Sequence, residues 1–131
     1  MAELANQYIV HAMRKDFDYT VVSGTQYKID TLPKGAVVIG TTVGIKTVFN
    51  AASTNVLIVG TAADDDALVA AAGVDETAVA VTRVAPATLA GNLAPSADTD
   101  IYVKYTQSGT AASTGAAWVV VEYVLDPAKY L

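Results

Sequence analysis

Thirteen aspartates and glutamates, a single histidine and no cysteine are the side chains from which any chemistry in this sequence would have to be built. The lack of cysteine removes disulfides, thiolate nucleophiles and cysteine-ligated zinc together, and leaves the redox compartment unread. A Ser-His-Asp triad would have to use His11, and no serine sits in a G-x-S-x-G setting. One histidine does not make a transition-metal site either, so His11 reads as a strand or arm residue. The run Asp64-Asp65-Asp66, with Asp75 and Glu76 nearby, is the one cation candidate. Calcium needs about six to eight oxygens converging on a point, and three consecutive carboxylates on a helix point in different directions. The EF-hand spacing is absent, and acidic residues suit the start of a helix, so that reading is preferred. Carboxylate pairs for glycoside hydrolysis are available in almost any sequence and single out nothing here. The glycines follow neither G-x-G-x-x-G nor G-x-x-x-x-G-K-[ST], so no phosphate-cradling loop is implied. Seven tyrosines and Trp118 have faces that stack on sugars, but their places inside alternating strands favour a core or a subunit interface. No catalytic residue, metal ligand or cofactor site is expected, and the chain reads as a non-enzyme.

The elements that position these residues are strands. Residues 34–60, KGAVVIGTTVGIKTVFNAASTNVLIVG, organise the rest. Val37, Ile39, Val43, Ile45, Thr47 and Phe49 share one parity; Gly40, Thr42, Gly44, Lys46 and Asn50 share the other, and Val38 and Val48 break the pattern. Successive strand side chains face opposite ways, so this spacing predicts one apolar and one thin, polar face. A flat strand over residues 36–50 would run ~50 Å at about 3.3 Å per residue, far beyond the typical strand, which predicts a bend or bulge near Gly40 or Gly44. The polar residues 51–55 then read as a turn into a second buried strand, Val56-Leu57-Ile58-Val59, making a hairpin the spine of the domain.

Before this spine, Tyr8-Ile9-Val10 and Asp18-Tyr19-Thr20-Val21-Val22 read as short strands separated by the mixed-charge segment Met13-Arg14-Lys15-Asp16, and Tyr27, Ile29 and Thr31 alternate with Lys28 and Asp30. Residues 61–73 read as one short helix, with acids near its start and Gly73 at its exit. Residues 77–84 return to strand, with Val79, Val81 and Arg83 on one parity. Residues 85–99 form a loop rich in Pro, Ala, Gly, Asn and Ser, and two more strands follow, around Ile101-Val103-Tyr105 and from Trp118 to Val124. Seven or eight strands with frequent turns predict an all-β fold, an antiparallel β-sandwich or jelly roll with one short helix. The expected organisation is an N-terminal arm, residues 1–16, and a single domain, residues 17–131.

Composition narrows the partners. At 131 residues and 13.5 kDa the chain can bury about two-thirds of its unfolded surface, enough for a core without metal or disulfide. Charged residues are only 16%, against about 25% in ordinary soluble domains, while 53% are hydrophobic, many of them alanine and valine. Such an exterior points to surface covered by other subunits. A formal charge of −5 and eight scattered lysines and arginines exclude a phosphate-neutralising stripe, so no nucleic-acid partner is expected. The N-terminal MAELANQYIVHAMRKDF lacks an apolar signal region, and no apolar run approaches the ~20 residues of a membrane span. A soluble protein made in the cytoplasm, with no membrane partner, is expected.

Three segments, LPKGAVVIG (32–40), TVFNAASTNVLIVGTAADDDALVAA (47–71) and IYVKYTQSGTAASTGAAWVVVEYV (101–124), together resemble the capsid decoration, or cement, proteins of tailed bacteriophages. The resemblance implies a jelly-roll-like subunit without catalytic residues. It implies binding to the outside of an assembled head, usually as a dimer or trimer, with the major capsid protein and the chain itself as partners. The protein would then reside on the capsid exterior of the virion after synthesis in the host cytoplasm. Residues 1–16 and 85–99 are the segments whose composition suits reaching onto a neighbour and ordering there. Their apolar and aromatic residues Tyr8, Ile9, His11, Pro86, Leu89 and Leu93, with Phe17 beside them, are the candidate interface residues. A tail or neck component, or a receptor- or glycan-binding virion module, are the competing readings.

Overall fold

The computed structural model describes residues 9–85 and 95–125. Seven strands cross them: β1 (His11–Asp18), β2 (Gln26–Leu32), β3 (Ala36–Thr47), β4 (Thr54–Gly60), β5 (Ala80–Val84), β6 (Thr99–Ser108) and β7 (Ala116–Leu125). They form two antiparallel sheets, ordered β1-β7-β3-β5 and β2-β6-β4. Odd strands make one sheet and even strands the other, so each connection crosses from one sheet to its facing partner. The result is a β-sandwich, as alternation along so many strands requires once one face of each must be hidden.

The core lies between the sheets. Val38, Val43, Val119 and Val121 from the four-stranded sheet meet Leu57, Val59, Ile101, Val103 and Tyr105 from the other, all 2% exposed or less. Phe49, in the link between β3 and β4, turns inward and packs its ring 4.6 Å from that of Tyr105, whose hydroxyl donates to Asn55 Oδ1 at 2.6 Å.

Three expectations are corrected. The expected hairpin of residues 34–60 is not one: β3 pairs with β7 and β5, and β4 with β6 in the opposite sheet. Two strands with matched apolar faces satisfy the same pattern whether they lie side by side or face to face across a core. The expected helix of residues 61–73 is a turn-rich segment with no helix in it. Thr61 N donates to Asp64 O at 2.8 Å and Asp64 N to Thr61 Oγ1 at 3.0 Å, closing a turn on the very residues that would have started a helix. Val69 then bridges to Val59 on the free edge of β4, with Leu68 N and Val69 N both donating to Val59 O. Burying Leu68 and Val69, 1% and 0% exposed, against β4 outweighs the local preference for helix. The β-prone run at residues 18–22 is mostly turn, tied down by Tyr19 N donating to Gly115 O at 3.0 Å.

The mixed-charge segment before it is the strand. In β1 Met13 is buried while Ala12, Arg14, Asp16 and Asp18 are exposed, so all its charges but Lys15 sit on the outward parity. The boundary expected at residue 16 falls inside this strand, which pairs along its whole length with β7. The bulge expected near Gly40 is observed: the β3–β7 register shifts between Val38 and Gly40, and a second shift lies between Ile45 and Thr47. The extra residue at the first shift is Ile39, 41% exposed, and it reverses the phase of the strand. Val38 therefore points into the core ahead of the bulge, and Val43 and Ile45 after it.

Candidate interaction surfaces

The outer face of the four-stranded sheet is built in rows by register. One row runs Asp16–Trp118–Gly44–Val81 across β1, β7, β3 and β5; the next runs Arg14–Val120–Thr42–Arg83. Trp118 lies flat over Gly44, where any Cβ would stand closer than 3.0 Å to the indole. Glycine is required there by the close approach. The Arg14 guanidinium sits 5.1 Å from the centre of the same ring, a cation–π contact, and its Nε donates to Asp16 Oδ1 at 2.8 Å. That bond holds the Asp16 carboxyl below its ordinary range. Arg83 crosses over Gly40 to pair with Glu122. The face is therefore apolar at its centre, with Arg14 paired to Asp16 and Arg83 to Glu122 around it. Val79 and Val81, on the edge strand β5 and just ahead of it, are 68% exposed, the highest values among the large apolar side chains described.

The second feature is acidic. Carboxylate oxygens of Asp64, Asp65 and Asp66 lie within 4.8 Å of one another at the turn after β4. Asp66 is pushed up, first by a hydrogen bond with Asp64, then by burial and the neighbouring charges. Lys104 pairs with Asp65, so one of the three charges is already answered by protein. Beside this turn, residues 61–63, 98–100 and Tyr102 line an open hollow. Its two carboxylates are committed elsewhere: Asp98 accepts from Lys34 N at 2.9 Å, and Asp100 from Thr31 Oγ1 at 2.6 Å, with Lys28 Nζ at 3.3 Å. These bonds hold Asp100 down, that from Thr31 foremost.

The remaining acids flagged by sequence are structural. Asp75 accepts from Thr77 N at 3.0 Å and caps a turn. Glu76 is buried, 5% exposed, and its Oε1 accepts from Leu57 N at 2.7 Å while its backbone oxygen accepts from Phe49 N. It clasps the β3–β4 link to β4, and burial is the chief cause that pushes its carboxyl up.

Of the candidate interface residues, Ile9 is 49% exposed. His11 is half-buried with its ring stacked on Tyr123, 5.4 Å between centroids. Phe17 packs on the core with its ring 6.1 Å from that of Phe49. Tyr8, Pro86, Leu89 and Leu93 lie outside the described residues. The structure brings His11 and Phe17 onto one strand but onto its inward parity. Sequence reasoning passed over Val79 and Val81, although their shared parity with Arg83 was the signal that this side faces out.

Known protein families offer no match to the sequence, and neither do curated proteins. Solved structures do match. A chain in the cyanophage Pam1 capsid asymmetric unit superposes with a TM-score of 0.68 at 20% identity, covering 89% of this chain and 85% of that one. A chain in the capsid of Ralstonia phage GP4 gives 0.65 at 20% identity, covering 92% and 86%. A chain in the acid-stable capsid of Helicobacter pylori bacteriophage KHP30 gives 0.66 at 17% identity, covering 91% and 90%. The likeness runs through nearly the whole of both partners in each case, and what it shows is a shared β-sandwich fold.

Proposed function

We propose that this chain is a virion structural protein that binds the outer surface of a phage capsid and stabilises it by bridging neighbouring shell subunits. The observation that carries this reading is the near-complete, two-way likeness to chains found in three phage capsids. Coverage that high in both directions means those chains are small, close to this one in length. A sandwich of this size suits an accessory subunit added to a shell. The alternation of successive strands between sheets is that of a jelly roll with one strand fewer, the turn-rich segment at Val69 lying where an eighth would pair with β4.

The physics of the role is addition of interface. A standard specific contact buries about 1,200–2,000 Å², and many symmetric copies, each touching two shell subunits, resist outward pressure from a packaged genome. Low charge and a sheet face whose ion pairs are internally satisfied make such contact inexpensive in desolvation. The role is non-catalytic, with the major capsid protein and the chain itself as partners. Because residues 11–16 are held in β1 by β7, the segment that reaches onto a neighbour is the stretch ahead of β1 or the connection between β5 and β6.

Co-sedimentation of purified protein with phage heads that lack it, followed by imaging, tests the proposal. Saturable binding at many symmetric sites on the head exterior, with heads made more resistant to heat, is the expected result. Absence of binding to heads, with density found instead at the tail or neck, would overturn it.

A further inference from the structure

A β-sandwich of this kind exposes four sheet edges, and natural proteins blunt such edges with charge, bulges or cover because bare edges recruit other strands. Three of the four are blunted here. β1 carries Arg14, Lys15, Asp16 and Asp18. β2 carries Lys28 and Asp30 around a register shift. β4 is covered by the segment that bridges at Val69. β5 has none of these devices. Among the described residues it pairs with β3 alone, and its sequence is Ala80-Val81-Thr82-Arg83-Val84, preceded by Val79. Its single charge, Arg83, is drawn back across Gly40 to Glu122 and does not guard the edge.

We infer that β5 is a strand-addition edge that pairs antiparallel with β5 of a second copy about a two-fold axis at Val81, joining two four-stranded sheets into one of eight. Three observations favour a second copy as the occupant. Antiparallel pairing centred on Val81 sets Val81 against Val81, Ala80 against Thr82 and Val79 against Arg83, so no like charges oppose. The row Asp16–Trp118–Gly44–Val81 then continues through the axis as its mirror order, placing Val81 of each copy, 68% exposed, between two indoles on one face. Arg83, the one charge on β5, is already paired with Glu122 within each copy, and Arg14 with Asp16 behind it. Five residues a side is a short contact, so the dimer is a weak one, with a dissociation constant on the order of 10–100 µM. Each copy carries a net charge of −5, so association strengthens as salt screens that repulsion. This inference stands independently of the capsid reading.

Sedimentation equilibrium across that concentration range reads it directly, and the expected result is a monomer–dimer equilibrium that shifts towards dimer with added salt. Val81→Lys and Val81→Glu, at a side chain 68% exposed and so tolerant of charge, each give monomer, while an equimolar mixture of the two gives back a dimer. The chain has no cysteine, so Val81→Cys supplies a clean geometric probe. Directly opposed Cβ atoms lie about 4.5–5.5 Å apart, close to the ~3.5–4.5 Å a disulfide spans. Val81→Cys cross-links to dimer at least tenfold faster than Val22→Cys, a control of similar exposure. A wild-type chain that stays monomeric throughout, or a dimer indifferent to both charged variants, overturns the inference. So does a monomer that dimerises only when residues 1–8 are removed, which would give the edge to the chain's own N-terminus. A monomer whose Val81→Lys variant loses binding to phage heads would likewise overturn it, giving the edge to a shell strand.

Discussion

Thr41 should be the cheapest place to make this protein more stable. It sits in the inward phase of β3 after the bulge, opposite Val84 and Val121, and is 0% exposed. Its hydroxyl has no hydrogen-bond partner among the described residues. A hydroxyl taken from water into an apolar core without a partner costs about 1–3 kcal/mol in mutational series. Thr41→Val exchanges that hydroxyl for a methyl of nearly the same size, leaving the β-branched shape and its strand preference in place. The expected gain is about 1 kcal/mol or more, and for a chain of this length that corresponds to roughly 3–5 °C in melting temperature per kcal/mol. Urea unfolding at fixed protein concentration measures it, with an unchanged slope confirming that the same surface is exposed in both proteins. Thr42→Val, on the outward phase one residue on, serves as the control and should move stability by less than about 0.5 kcal/mol. A Thr41→Val protein no more stable than wild type would refute the reasoning and point to a buried water bonded to the hydroxyl.

Two further outcomes follow from the same structure. Gly44→Val forces the indole off the sheet, so emission from Trp118, the only tryptophan, should shift to the red with a loss of about 1–3 kcal/mol; unchanged fluorescence would contradict the described stacking. Glu76 is held above its unfolded value chiefly by burial, so its ionisation costs native stability as pH rises from the unfolded value through the folded one. Glu76→Gln keeps an oxygen to accept from Leu57 N, so its stability relative to wild type should improve from acid to neutral pH, and a difference flat with pH would sink this account. The comparison must be variant against wild type, because Asp16, Asp18, Asp75 and Asp100 are all lowered and contribute the opposite slope.

Strand identity was legible where the period of two was clean, as in β6, or where β-branched residues crowded together, as in β7, and the glycine-marked irregularity in β3 was legible from length alone. Pairing was not. The alternation of residues 36–49 and the apolar run of 56–59 say that each strand is buried, and nothing in them distinguishes a neighbour in the same sheet from one across the core. The bulge at Ile39 also shows why counting parity along one strand misplaces its core: one extra residue exchanges the roles of Val38 and Ile39. The acidic turn misled for a different reason. Asp64, Asp65 and Asp66 suit a helix start, but the next residues, Leu68 and Val69, bury themselves by backbone bonds to Val59, a long-range term that local preference does not contain. In β1 the charges concealed a strand, because outward positions at a sheet edge accept Arg14 and Asp16 without penalty. The exposed surface was read least well, since whether an apolar residue faces in or out depends on the pairing that the sequence leaves open.

The position of β7 has a consequence for the order in which the molecule can be made. β7 lies between β1 and β3, with His11 opposite Tyr123 and Val43 opposite Val119. During synthesis the first and third strands therefore emerge long before the strand that joins them, and until it arrives each has an unpaired edge. Closing so large a loop is entropically slow, which places folding in the range of milliseconds to seconds typical of all-β topologies. Incomplete chains expose two open edges flanking a gap one strand wide, a ready template for the wrong partner. Completion of the sheet thus waits for β7, and a truncation that removes it takes away the strand that holds both of its neighbours in one sheet.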